Sequence, residues 1–153
     1  MPVSNYLFYL LNPLELLRTK KVLQVNPTVA SPREEPEEIK IFVNDYDVSH
    51  FIVKELKSVT ECFPYLSSPT TTWINLDGLR KADVEKLNNH YGVHYLITED
   101  ILSTGQRPKM DEIDGLIYCV LSMLYFNEKD STVEAEQISI VLGKNFVISF
   151  QED

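Results

Sequence analysis

Thr70-Thr71-Thr72-Trp73-Ile74-Asn75-Leu76-Asp77-Gly78 is the stretch that decides how this chain folds. β-Branched and aromatic side chains suit a pleated sheet surface, and Asp-Gly ends the run, so residues 71–76 read as a strand, expected to be buried on both faces. Just beyond, Val84, Leu87 and Tyr91 recur at helical spacing and Gly92 follows as a left-handed cap, which predicts a helix over residues 81–91. Upstream, Ile39, Ile41 and Val43 alternate in IKIFVN, a strand ended by the turn-like Asn44-Asp45-Tyr46-Asp47. A weaker strand spans residues 50–56, and residues 59–66, interrupted by Pro64, form a short helical turn.

Downstream the pattern turns to strands. A short helix is expected over residues 98–103, ended by Gly105 and Pro108, followed by strands over residues 109–114, 116–126, 133–142 and 146–150. The last three should form an antiparallel meander, with a polar turn at residues 127–131 and a hairpin connection, Gly143-Lys144-Asn145, whose glycine can adopt positive φ. The fold class is α+β: a mixed, largely antiparallel sheet with helices inserted between its two halves.

The chain has 153 residues, 44% of them hydrophobic and 24% charged, which suits one folded domain that needs no disulfide or metal to make a core. Five of the eight prolines, Pro2, Pro13, Pro27, Pro32 and Pro36, fall in the first 38 residues, ahead of or within the acidic SPREEPEE. Residues 1–38 therefore read as an irregular arm, with a short helix from Leu14 to Lys20, and residues 39–153 as the compact domain. No stretch reaches the roughly 20 apolar residues of a membrane helix. The greasy opening lacks a basic region before it and a cleavage site after it, so a cytoplasmic placement is expected. The strand running into Phe150-Gln151-Glu152-Asp153 reads as a piece of a longer polypeptide.

Fourteen Lys and Arg stand against 23 Asp and Glu, a net charge of -9, which argues against nucleic-acid binding through phosphate neutralisation and favours cations or basic surfaces. Cys62 and Cys119 sit among apolar neighbours and read as small core residues. His50, His90 and His94 lack metal-ligand spacing, because Gly92 ends the helix between the last two. No nucleophile motif or glycine-rich phosphate loop is present, so nothing marks an enzyme. The candidates for chemistry are acidic. Glu99-Asp100 is expected at the start of a short helix, where the macrodipole alone would explain it. Adjacent helical residues point about 100° apart, so only one can face a given partner. The competing reading is a cation site, since Mg2+ keeps most of its water and takes only one or two carboxylates. Asp111, Glu112 and Asp114 read as solvated turn charges, and Glu134 with Glu136 as the wet face of a strand.

Several segments together carry a family resemblance. In order they are Trp73-Ile74-Asn75-Leu76-Asp77-Gly78, Gly92-Val93-His94, Leu96-Ile97-Thr98-Glu99-Asp100-Ile101-Leu102, Gln106-Arg107-Pro108-Lys109, Glu136-Gln137-Ile138-Ser139, Leu142-Gly143-Lys144-Asn145 and Phe150-Gln151-Glu152. This series closely resembles the N-terminal cytoplasmic domain of the CorA family of magnesium transporters, over about Ile39 to Asp153. The resemblance implies a sheet sandwiched by helices in the funnel of a homopentamer at the cytoplasmic face of the inner membrane, reaching the membrane only through segments not in this chain. It also implies that Glu99 and Asp100 bind regulatory Mg2+ at the contact with a neighbouring subunit, Asp100 being the main sensor carboxylate. Co2+, Ni2+ and Zn2+ are further ions that the resemblance allows, because a zinc-transporting branch shares the scheme. Tyr95 and Ser103 stand where the family commonly has proline and asparagine. The alternative from another class is a stand-alone acidic module that binds a protein and has no metal role.

Overall fold

The computed structural model describes residues 36–128 and 131–152, all within Pro32–Asp153, one of the two units into which the chain divides. The expected arm over residues 1–38 lies outside the described residues except for its last three, and the expected helix from Leu14 to Lys20 lies wholly outside them.

Seven strands form one sheet: β1 (Lys40–Tyr46), β2 (Phe51–Leu56), β3 (Thr71–Asp77), β4 (Lys109–Ile113), β5 (Leu116–Asn127), β6 (Thr132–Leu142) and β7 (Phe146–Gln151). Their spatial order is β2-β1-β3-β7-β6-β5-β4. Every neighbouring pair is antiparallel except β3 and β7, which run parallel. A parallel pair cannot be closed by a tight turn. The connection from β3 to β7 accordingly holds α1 (Lys81–Tyr91), α2 (Tyr95–Leu102) and strands β4 to β6. A 3-10 helix, Val59–Ser67, connects β2 to β3. The expected α+β class, with its meander β5-β6-β7, is what the chain adopts.

The two faces of the sheet differ. Register places Ile41, Leu76 and Phe150 in one row across three strands, and Val43, Ile74, Ile148 and Val141 in the next; all are buried. Cys62 of the 3-10 helix, Val84 and Leu87 of α1, and Ile97 and Ile101 of α2 belong to the same core. Burying a side chain of this size fully stabilises the fold by about 1.5–3 kcal/mol. The described helices thus cover this face. On the other face Val53, Trp73, Met110 and Leu121 are exposed, and a shallow groove runs between Phe42, Trp73 and Ile138.

Three local expectations are corrected. β3 is buried on one face only, since Trp73 is 45% exposed and its indole N–H donates to Ser149 Oγ at 2.8 Å. That hydroxyl donates in turn to Asn75 Oδ1 at 2.6 Å, so a polar chain ties the parallel joint together on the open face. The first turn begins three residues later than expected, because Asp45 stays in β1, buried, and accepts the hydroxyls of Thr70 and Thr72 at 2.6 and 2.7 Å. Those two bonds replace the water that would otherwise draw the carboxylate outward. Asp47 makes the turn, accepting from the Ser49 N–H at 2.7 Å.

Gly143 is the third correction, for it does not adopt positive φ. A Cβ there would overlap the ring of Phe146, which is buried edge-on against Tyr91 with ring centroids 4.8 Å apart. Gly143→Ala is therefore expected to cost about 1–3 kcal/mol by forcing that ring aside. Urea denaturation at constant m-value would measure it, and a stability equal to the parent's would refute this role for the glycine. Asn145, two residues on, donates from Nδ2 to the Ser68 carbonyl at 2.9 Å, while its own carbonyl accepts the Thr72 N–H at 3.0 Å. The Gly-Lys-Asn segment thus docks the last hairpin against the entry to β3.

Candidate functional site

α2 begins at Tyr95, three residues before the expected start. Its cap is His94, whose Nδ1 accepts the Leu96 N–H at 3.2 Å, a role usually taken by Ser, Thr, Asp or Asn. The earlier start moves Glu99 and Asp100 from the first turn into the second half of the helix, which carries no acid in its first turn. The macrodipole therefore disfavours both carboxylates there and no longer accounts for them. Glu99 is exposed and Asp100 half-buried, pointing different ways as the helical geometry requires.

Contacts from three other segments converge on this end of α2. Lys109, on β4, donates from Nζ to Asp100 Oδ2 at 2.6 Å and stands 3.8 Å from Asp111 Oδ2. Gln137, buried on β6, holds the backbone: its Nε2 donates to the carbonyls of Asp100 and Ser103 at 3.4 and 3.3 Å, and its Oε1 accepts the Gln106 N–H at 2.8 Å. The Gln137 N–H donates to Glu152 Oε2 at 3.3 Å. From below, Asn88 of α1 donates to Thr98 Oγ1 at 3.0 Å. One buried amide thus locks helix, loop and sheet together and fixes where Asp100 stands.

Lys109 and Gln137 were visible in the sequence only as members of the segments that carry the family resemblance, without a role. Of the three acids expected as turn charges, Asp111 and Glu112 lie instead within β4, paired with Tyr118 and Ile117, and only Asp114 is in the β4–β5 turn, where it and Gly115 take positive φ. Glu134 is held by Tyr125 Oη at 2.7 Å and Asn127 Nδ2 at 2.6 Å, and these bonds lower its carboxyl below the usual range. His90 stacks on Phe63 with centroids 3.8 Å apart, away from His94. Cys62 is in the core, where burial pushes its thiol up to about 12; Cys119 is only half-buried, on the open face, and so is not the core residue expected.

The donor set suits Mg2+ in one respect: hard carboxylate oxygens, partly reachable by solvent. It is also incomplete. No group of three or more His, Cys, Asp or Glu able to hold a metal occurs among the described residues. Glu99 and Asp100 make at most half a site, one that a second surface would have to finish. No helix among the described residues is long and apolar enough to cross a membrane.

Residues 68–153 match the family described as CorA-like Mg2+ transporter protein. Over 117 residues the chain is 35% identical to the cobalt/magnesium transport protein CorA of Thermotoga maritima, an overlap of 76% of this chain and 33% of that protein. It is 31% identical over 78 residues to a putative metal ion transporter of Bacillus subtilis, 51% of this chain and 23% of that one. The chain thus spans a third or less of the length of these relatives. In fold it is similar to the soluble domain of CorA from Methanocaldococcus jannaschii, with a TM-score of 0.53 and 14% identity over 79% of this chain and 43% of that one.

Proposed function

Because this chain belongs to the CorA-like Mg2+ transporter family, we propose that it is the divalent-cation-sensing cytoplasmic domain of a CorA-type channel, with residues 39–153 as the sensing domain. The observation that carries this reading is Asp100, held by Gln137 through its backbone and displayed beside Glu99 in the half of α2 where the helix dipole opposes acids. A carboxylate in that position is stabilised by positive charge, which Lys109 supplies at Asp100 within this chain and which a divalent ion carries at twice the charge. Hydrated Mg2+ takes one or two carboxylates from this chain and completes its shell with water and acids of a neighbouring subunit in a homopentamer.

The consequence is a switch between subunit arrangements. A chain of net charge -9 repels its own copies, and Mg2+ held between two acidic surfaces offsets that repulsion and favours the closed arrangement. When the ion leaves, the equilibrium shifts to the open one, by no more than the differential affinity of Mg2+ for the two states. Co2+, Ni2+ and Zn2+ carry the same charge and compete at such a site; ion selection belongs to the pore. The domain would lie at the cytoplasmic face of the inner membrane.

Replacing both acids, Glu99→Ala with Asp100→Ala, is expected to raise the Mg2+ concentration that half-closes the complete transporter by about tenfold or more, with the fold unchanged. Current or flux recorded against internal Mg2+ is the measurement. Closure matching that of the parent would discard the sensing role and leave a protein-binding module as the better reading.

A further inference from the structure

We propose that the Lys109 ammonium is a built-in competitor for the cation at Asp100, setting the Mg2+ concentration at which the site fills; the inference rests on the sensing role given above to Asp100. Three features already favour positive charge at this point. The Asp100 carboxylate is one, at 2.6 Å from Nζ. The carbonyl end of α2 is the second, since Asp100 lies in its last turn. The third is the face of Tyr118, whose ring centroid lies 5.9 Å from Nζ, within cation–π range. Lys109 fills this place from a fixed strand position, opposite Val120 in the β4–β5 register, so its stem is delivered by the sheet and not by a loop.

Tethering gives the ammonium a high local concentration, but it carries one charge, and Mg2+ carries two. Lys109 and Asp100 side chains are 35% and 28% exposed, so a hydrated ion reaches the carboxylate without unfolding anything. To bind at Oδ2 it must release the lysine, which can retreat toward Asp111 at 3.8 Å. The site then stays in its lysine-bound form at low Mg2+ and changes occupant only as the ion rises. A solvent-accessible pair of this kind is modest in strength, which makes the exchange reversible and the shift in threshold a few-fold.

The test is a Mg2+ titration of the 153-residue chain, followed by NMR of the Asp100 side-chain carboxyl and the Lys109 Nζ resonance. In the parent both resonances are expected to move with one midpoint. Lys109→Met should lower the midpoint about two- to five-fold, and Lys109→Arg, which keeps the charge, should not lower it. Asp100→Asn should remove the response. A Lys109→Met midpoint equal to or higher than the parent's, with the response still lost in Asp100→Asn, would overturn the competitor and leave the sensing role standing. A response that survives Asp100→Asn would overturn both, and a response absent from every chain would overturn the competitor, the sensing role being decided by the closure measurement on the complete transporter.

Discussion

Phe150→Ala is expected to destabilise the fold by about 3–5 kcal/mol, the range for removing a fully buried aromatic ring. Phe150 is completely buried and lies in register with Leu76 of β3 on one side and Ser139 of β6 on the other. Its ring therefore sits at the parallel joint of the sheet, in the same buried core as Val84, Leu87, Ile97 and Ile101 of the helices. Phe51→Ala is the matched control. Phe51 is 69% exposed at the outer strand β2, and its loss should change stability by no more than about 0.5 kcal/mol. Denaturant titrations of the three chains give both numbers. Equal losses for the two phenylalanines would mean that the core does not centre on β7.

Gln137→Leu is expected to cost about 2–4 kcal/mol although the replacement is similar in size and apolar. The amide satisfies three backbone groups, the carbonyls of Asp100 and Ser103 and the N–H of Gln106; a fully buried group left without a partner costs about 1–3 kcal/mol, and less here because Ser103 is exposed and Asp100 and Gln106 half-buried. The damage should be local. Amide hydrogen exchange should quicken over residues 100–107 while the β5–β6 pairing, which the side chain does not serve, keeps its protection. Uniform loss of protection would show that Gln137 supports the global fold and not the placement of Asp100.

Most of the sheet was legible because one face is dry. Ile41 with Val43, and Val141 with its neighbours, alternate in sequence because they alternate between core and solvent, and α1 ended where Gly92 takes φ 70°. Trp73 misled for the same reason in reverse: an aromatic in a β-rich run looks buried, yet its indole is satisfied by Ser149, 76 positions away. The start of α2 was hidden by a histidine cap. His94 offers an imidazole acceptor where capping rules look for a hydroxyl or carboxylate, although the buried Ile97 and Ile101, four apart, carried the helical period.

The acids of the candidate site were legible as a pair, but their surroundings were not. Lys109 and Gln137 reach Asp100 only after β4 and β6 have taken their registers, 9 and 37 positions along the chain, and no local pattern announces such contacts. The dipole argument for Glu99-Asp100 changed sign with a shift of three residues in one helix boundary. Boundaries are the least secure part of any reading of sequence, and here the meaning of two carboxylates depended on one.

The parallel joint between β3 and β7 has a consequence for how the chain is made. During synthesis β3 emerges some 70 residues before β7, so until then β2-β1-β3 and, later, β4-β5-β6 can pair only as two separate antiparallel pieces. Each then presents an edge, β3 on one and β6 on the other, that waits for β7 to pair with it and to join their apolar rows into one. The strand that leaves the ribosome last among the described elements is the one at the centre. Until Phe146–Gln151 arrives, those edges are open to pairing with a neighbouring nascent chain, and a pause in translation just before it would expose both at once.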